Sequence, residues 1–572
     1  MNTAPNSLPA VPPEAAEAAH HDLVTRLVAE AFSQFSGNSK QPASLPGSVK
    51  EITTGASPAS SGATSALPPV HPTVPSSAPK LAEPEKTPSG AHSPDSGDSY
   101  AFGEPRCNGN YRPQGNRPET KTANANPLAG LASSESLATP EYYFLRGANP
   151  AGKSPANCQT YPRNAVPVPR FDVEAVRRDF PALHQTVNGK PLIWLDNAAT
   201  THKPQSVIDA TSQFYSRDNS NIHRAAHALA ARSTELFEAS REKVRKFLGA
   251  ADAREIVFVR GTTEAINLVA QSYGRKHIGA GDEIIVSQLE HHANIVPWQL
   301  LAEQVGATVR VIPINDRGEL ILEEFVKLLG SRTKFVSVAH VSNSLGTVNP
   351  VEQIIALAHA QGVPVLVDGA QSTPHLPVNV TALDADFYAF SGHKLFGPTG
   401  IGALYGKTAL LETMPPWQGG GHMIKDVRFE KTVYQHPPEK FEAGTPDIAG
   451  VVGLGAAIDY LFKTGIPAIA AYEHALLAYG TQALATIPGL RPIGTALNKA
   501  SVLAFVIPGV PNEAIARHLD KLGIAVRSGH HCAQPAVRHF GLESSVRPSL
   551  AFYNTREEID ALVAALRTLN RK

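Results

Sequence analysis

Cysteine is scarce in this chain: Cys107, Cys158 and Cys532 are three among 572 residues. Three cannot form a disulfide framework, and a reducing compartment is the expectation. Net charge is absent too. Lysine plus arginine and aspartate plus glutamate stand at 51 each, so nothing global points to nucleic acid or to an anionic membrane, and neither is expected as a partner. No apolar run approaches the roughly 18 residues of a membrane span. The N-terminus lacks the basic region and apolar core of a secretory signal. The sequence reads as that of a soluble, cytoplasmic protein, too long for one simple domain.

Proline, by contrast, is abundant and uneven. Of 47 prolines, 25 precede Phe171, among plentiful Ser, Ala, Gly and Thr. Such a stretch cannot bury enough apolar surface to offset its ordering entropy, so residues 1–168 read as a disordered arm. Two apolar islands interrupt it. Glu17 to Phe35 carries Leu23, Val24, Leu27, Val28, Ala31, Phe32 and Phe35 in a helical stripe. Thr139 to Pro150 holds Tyr142, Tyr143 and Phe144 in a row. Short islands of this kind suit segments that order on a partner, docking on the chain's own core being the competing reading.

From Phe171 the composition is that of an α/β protein. A helix is expected from Phe171 to Asp179, a short strand at Leu192–Leu195 and a helix at Ser233–Leu248. Strands follow at 255–259, 283–286, 309–312, 335–338, 363–366, 387–390 and 401–405, the first of them running into a helix from Ala265. This alternation predicts a doubly wound, mostly parallel sheet. The expected division is a lead-in segment at 169–188 packing with the small domain, a large domain at 189–460, and a small α+β domain at 461–572 that carries Cys532.

Polar punctuation falls where these strands end, the place where open α/β sheets carry out their chemistry. Phe387-Tyr-Ala-Phe390 ends in Ser391-Gly-His-Lys394, and Val363-Pro-Val-Leu-Val ends in Asp368-Gly-Ala-Gln371. Alone, Lys394 reads first as an ordinary exposed lysine, and Asp368 as a helix N-cap. Together they meet a specific need. An aldehyde cofactor requires a lysine amine and a pyridinium nitrogen requires an anionic partner, which is the requirement of pyridoxal 5′-phosphate (PLP). Arg260-Gly-Thr-Thr-Glu264, between a strand and a helix, would offer backbone N–H groups and the Thr262 and Thr263 hydroxyls to a phosphate, though a threonine there often only caps.

Cys532 follows two histidines and lies five residues after Arg527, and cationic neighbours stabilise a thiolate nucleophile. Metal ligation by His530-His531-Cys532 is the rival. Adjacent residues rarely converge on one tetrahedral ion, and no second Cys/His cluster is spaced to complete the set, so no metal is expected.

Eight motifs, in order through the core, match a known family: Arg-Gly-Thr-Thr-Glu, Glu-His-His-Ala-Asn, His-Val-Ser-Asn, Val-Asp-Gly-Ala-Gln, Ser-Gly-His-Lys, Phe-Glu-Ala-Gly-Thr-Pro, Arg-Ser-Gly-His-His-Cys-Ala and Arg-Pro-Ser-Leu. The core from about Phe171 closely resembles the SufS-type (class II) cysteine desulfurases, PLP enzymes of aminotransferase fold type I. The resemblance implies a homodimer in which Lys394 holds PLP and Asp368 faces the pyridine nitrogen. His291 would stack on the ring and help move protons, and Gln371 would reach the ring oxygen. Thr262, Thr263, Ser391 and His393 would bind the phosphate, joined by Thr445 of the other subunit. Asn343 and Arg547 would hold the substrate carboxylate, with Arg527 nearby and Arg224 supplied across the dimer. Cys532 would take sulfur from L-cysteine as a persulfide, leaving L-alanine, and hand it to a SufE-like acceptor protein or a reductant in iron–sulfur cluster assembly. A selenocysteine lyase or another PLP carbon–sulfur lyase is the alternative.

Two departures stand out. Gly419-Gly-Gly-His422 places a histidine on the dimer-facing loop where bacterial relatives carry other residues. The long arm is the larger departure. In character it resembles that of the cargo desulfurases of family 2A encapsulin nanocompartments, which implies docking on an encapsulin shell protein, a non-shell partner being the alternative.

Overall fold

The computed structural model describes residues 171–223 and 226–569; the arm with both of its islands, and Arg224, lie outside the described residues. The apolar runs form seven strands: β1 (Ile256–Val259), β2 (Glu283–Ser287), β3 (Thr308–Ile312), β4 (Thr333–Ala339), β5 (Val365–Asp368), β6 (Phe387–Ser391) and β7 (Gly402–Gly406). They join in the order β1-β7-β6-β5-β4-β2-β3. β7 runs antiparallel to both its neighbours, and the remaining pairs are parallel. The mostly parallel sheet read from the alternation is therefore present.

The inner strands are mostly apolar because both faces of the sheet are covered there, whereas the edge strand β3, with Arg310 and a half-exposed Val311, is largely open. Along β6, Phe387 and Ala389 join one core with Val257, Leu366 and Leu404, while Tyr388 and Phe390 join the opposite core with Phe258, Val367 and Ala403. Burying one such large apolar side chain contributes about 1.5–3 kcal/mol. The period-two geometry of a strand thus feeds two cores from one run of sequence.

Helix boundaries differ from the sequence reading at their starts. The helix expected from Ser233 begins five residues earlier, at Ala228, because His227 accepts the Ala230 N–H at 3.2 Å as a cap. The helix expected from Ala265 begins at Thr262, immediately after Gly261. Apolar periodicity marks the buried face of a helix but is silent about its first, polar turn. We label these α1 (Ala228–Leu248) and α2 (Thr262–Val269). The long helix α3 (Ile448–Thr464) packs on α1. Arg241 of α1 forms a buried ion pair beside β1, two of its guanidinium nitrogens holding the carboxylate of Glu442, in the loop before α3, at 2.7 and 3.0 Å. Glu442 also accepts the Phe258 N–H of β1 at 2.7 Å. The Phe-Glu-Ala-Gly-Thr-Pro loop is thereby pinned to the sheet edge.

C-terminal to the sheet, α4 (Ile466–Ala485) leads into four short strands, β8 (Arg491–Pro492), β9 (Phe505–Val506), β10 (Arg527–Gly529) and β11 (Ser545–Arg547), and then α5 (Arg556–Arg567). These strands pair antiparallel in the order β8-β9-β11-β10 over a third core that includes Leu476, Phe505, Ile515 and Leu562. The early strand at Ile193–Trp194 pairs in parallel with Ile524–Ala525, and Leu195 joins this third core. That short strand was expected within the large domain, yet its hydrogen bonds go to the C-terminal layer. Among the described residues no single helix is long and apolar enough to cross a membrane.

Candidate active site at the strand ends

A cavity of about 180 Å³ opens at the carboxyl ends of β4, β5 and β6 and beneath β10 and β11. Its wall contains Thr262, Thr263, His291, Asn343, Asp368, Gln371, Ser391, His393, Lys394, Arg527, Cys532 and Arg547. Twelve residues singled out in the sequence, spread over nearly 300 positions, thus meet in one place. Two others do not. Thr445 is exposed and outside this wall, and Arg224 lies outside the described residues.

Lys394 ends a short 3₁₀ turn directly after β6. Burial pushes its ammonium down to about 8; the Arg547 and Arg527 guanidiniums push the same way, and Asp368 opposes them. A free amine is therefore available near neutral pH. Asp368, 5 % exposed, closes β5. Burial raises its pKa, while the Ala370 N–H, donating to Oδ1 at 2.9 Å, and Lys394 favour the anion.

His291 caps a short turn by accepting the Ala293 N–H on Nδ1 at 3.0 Å. Burial, helped by Lys394, lowers its pKa to about 3, which keeps the ring neutral. Next to it, Glu290 is wholly enclosed. It accepts from Ser287 Oγ, from the Ala339 N–H at 2.9 Å and from Asn294 Nδ2 at 2.6 Å. Burial raises its carboxyl to about 7 against those donors. Glu290 fastens the His291 loop to β4, a role the sequence reading did not assign.

At the start of α2 the backbone is shaped for close approach. Gly261 has φ +148°, and a Cβ there would lie 3.1 Å from Ser391 Oγ. That oxygen accepts the Thr262 N–H and meets Thr262 Oγ1, both at 2.9 Å. Hydroxyls from two elements thus cluster at a helix N-terminus, a setting that suits an anion. His393 Nδ1 lies 3.2 Å from Thr200 Oγ1, and burial lowers its pKa to about 4. Gln371 reaches across to donate to the Ala198 carbonyl at 2.6 Å.

Arg527 and Arg547 are direct register partners on β10 and β11. Two guanidiniums side by side need a shared anion, and Asp196 supplies it: Oδ2 lies 3.2 Å from Arg527 Nε, and Oδ1 lies 3.1 Å from Arg547 NH2. Arg547 is only 1 % exposed. Burial lowers its pKa to about 10, with Asp196 working against that shift. Its NH1 donates to the Asn343 carbonyl at 2.9 Å, and Asn343 Nδ2 donates to the His531 carbonyl at 2.7 Å. Arg547 Nε, Asn343 Oδ1 and His531 Nδ1 are buried without a hydrogen-bond partner in the chain. Asp196 was also missed, although it ends the Leu192–Leu195 run just as Asp368 ends β5.

Cys532 is half-buried, on a turn where His531 and Cys532 both have positive φ, 55° and 54°. Two consecutive left-handed residues other than glycine are costly, about 1–2 kcal/mol each. They fold His530 back so that its Nδ1 accepts the Cys532 N–H at 3.0 Å. His292 packs against the same turn, its N–H donating to the Cys532 carbonyl at 2.7 Å. The donor atoms of His292, His530 and Cys532 all lie within 4.8 Å of one another. His292, on the loop after β2, is thus brought beside His530 and Cys532 from far away in the chain.

A family model described as aminotransferase class-V matches residues 193–562. The chain is 62 % identical over 399 residues to a cysteine desulfurase of Synechococcus elongatus, a match spanning 70 % of this chain and 64 % of that protein. It is 60 % identical to a probable cysteine desulfurase of Mycobacterium leprae, spanning 70 % and 65 %. The chain thus spans less than two thirds of the length of these two relatives. A cysteine desulfurase of Dickeya dadantii is 52 % identical and is covered over 98 % of its length by 71 % of this chain. Among solved structures, the Escherichia coli cysteine desulfurase CsdA, in an S-sulfonic acid form, superposes with a TM-score of 0.65 at 44 % identity, over 69 % of this chain and 98 % of that one. The apo cysteine desulfurase of Thermococcus onnurineus gives 0.66 at 38 % identity, over 69 % and 96 %.

Proposed function

The chain belongs to the class-V aminotransferase family, and from that premise we propose that it is a PLP-dependent cysteine desulfurase that converts L-cysteine to L-alanine. One observation carries the reading: a lysine amine, a buried carboxylate, a buried arginine and a cysteine thiol line one small cavity.

The residues fit the cofactor. Thr262, Thr263, Ser391 and His393 offer hydroxyl and imidazole groups for its phosphate, Asp368 an anion for its ring nitrogen, His291 a neutral ring to lie against it, Gln371 an amide, and Lys394 an amine for its aldehyde. Buried polar atoms without partners on Asn343 and Arg547 leave bonding capacity for a carboxylate. Bound there, PLP supplies an electron sink for the carbon that loses its proton. The Lys394 amine removes and returns that proton, and Arg547 with Asn343 orients the substrate carboxylate. The Cys532 thiolate attacks the substrate sulfur: an S–S bond forms on Cys532, the substrate carbon–sulfur bond breaks, and protonation of the carbon skeleton yields alanine.

The persulfide passes to a SufE-like acceptor protein or a reductant. The dimer is supported by four exposed apolar side chains on one hairpin, Phe429 near its tip with Val427, Val433 and Tyr434, and by the expected cross-subunit roles of Arg224 and Thr445. The arm's proline-rich composition and two apolar islands support docking on an encapsulin shell, which would hold the enzyme in a cytoplasmic nanocompartment.

Cys532→Ser tests the mechanism. The variant is expected to keep the absorbance of bound PLP and to lose alanine and persulfide formation from L-cysteine by at least about a hundredfold. Cysteine turnover at the parental rate would overturn the persulfide mechanism, and selenocysteine turnover alone would favour the lyase alternative.

A further inference from the structure

The turn at Cys532 holds two imidazoles, His292 and His530, that the proposed reaction does not use. We propose that His292, His530 and Cys532 form a binding site for a soft divalent cation, zinc above all, and that its occupancy withdraws the Cys532 thiol from reaction.

Three features carry this. The first is convergence. One donor atom from each residue lies within 4.8 Å of the other two, and tetrahedral zinc with sulfur and nitrogen ligands needs about 3.3–3.8 Å between them, so side-chain rotations of about 1 Å complete the geometry. The second is ring orientation. His530 Nδ1 accepts the Cys532 N–H at 3.0 Å, and His292 Nε2 accepts the Gln534 N–H at 3.3 Å. Both lone pairs therefore face the turn that bears the thiol, and a cation would replace two amide protons, one of them at long range. The third is chemistry. Two imidazoles and a thiolate, with no carboxylate among them, select zinc over magnesium or calcium.

His530 is exposed while Cys532 lines the cavity, so the site lies at the mouth, open to solvent for a fourth ligand. On binding, Cys532 releases its proton to solvent and forms one sulfur–metal bond; nothing is oxidised or reduced. The bound thiolate cannot attack an electrophile. That consequence for turnover rests on the proposed role of Cys532, whereas the binding itself rests on geometry alone.

The test uses the full chain with zinc sulfate and needs neither PLP nor L-cysteine. Affinity is read by competition with a chromophoric chelator. The rate at which iodoacetamide alkylates Cys532, read from the mass of its peptide, is then measured with and without zinc. The chain has 22 histidines, so the difference between variants, rather than total zinc, is the readout. The expected result is at least about tenfold weaker zinc binding in His292→Ala, His530→Ala and Cys532→Ser. Zinc should also slow Cys532 alkylation at least about tenfold in the parent and in neither histidine variant. Two independent histidine variants keep the test decisive if one fails to fold. Zinc affinity unchanged in all three variants, or alkylation unaffected at saturating zinc, overturns the proposal. A chain that binds zinc at this site but, once freed of zinc by a chelator and loaded with PLP, still turns over no cysteine would instead overturn the desulfurase reading and leave the metal site standing.

Discussion

Lys394 and Asp368 face each other from the ends of neighbouring strands, and burial acts on them in opposite directions, lowering the lysine to about 8 and raising the aspartate. A depressed lysine is charged below that value and free above it. The rate at which PLP-free protein takes up the cofactor is therefore expected to climb with pH and to level off above about 8, the free amine being the form that attacks the aldehyde. Stopped-flow absorbance across pH 6.5–9.5 checks this; a profile still climbing towards 10 would mean that Lys394 titrates as an ordinary lysine. At this scale strand ends and neighbouring residues were enough to single out Lys394, Asp368 and Cys532, whereas the roles of Asn343 and Arg547 came from the family resemblance. The sequence was poorly legible for Asp196, Glu290 and His292. Those three act through partners distant in the chain: Asp196 through two arginines on β10 and β11, Glu290 through the Ala339 amide, and His292 through the Cys532 turn. Nothing local to a residue announces a partner that only the fold delivers.

β7 is the element on which the phosphate seat leans. Gly402 pairs with Ser391 on one side and Val259 on the other, and a Cβ there would come within 2.3 Å of the Phe390 carbonyl and 2.7 Å of Gly261 Cα. Both contacts are backbone and cannot swing away. Gly402→Ala is expected to lose about 1–3 kcal/mol in denaturant unfolding and to bind PLP several-fold more weakly, because Ser391 and the start of α2 must move. Unchanged stability and cofactor affinity would show that the strand pair has slack the geometry does not indicate. The strands themselves were readable to within one or two residues, because two-sided burial leaves an uninterrupted apolar signature. Helix starts were not, since the first turns of α1 and α2 are decided by a histidine cap and a glycine rather than by apolar period.

For the molecule as a whole, the prediction concerns the arm. A chain lacking residues 1–168 is expected to bind PLP and to convert L-cysteine at the full-length rate within about twofold, since every residue of the cavity wall lies beyond 190. Only the full chain is expected to co-elute with a co-expressed encapsulin shell protein. Alanine and sulfide assays on both forms, followed by size-exclusion chromatography with the shell, test the two halves separately; loss of activity on truncation would place part of the arm in the active fold. Composition marks a change near Phe171, and apolar runs ending in polar residues were enough to yield a mostly parallel sheet with polar residues gathered at its strand ends. Both follow from rules that operate over a few residues: burial of alternate faces, and the need of strand ends for polar company. The pairing of Arg527 with Arg547 around Asp196, the fastening of the His291 loop by Glu290, and the meeting of His292 with the Cys532 turn came only from tertiary structure. Each depends on through-space distances between segments that lie from 49 to 351 residues apart, and no spacing along the chain encodes them.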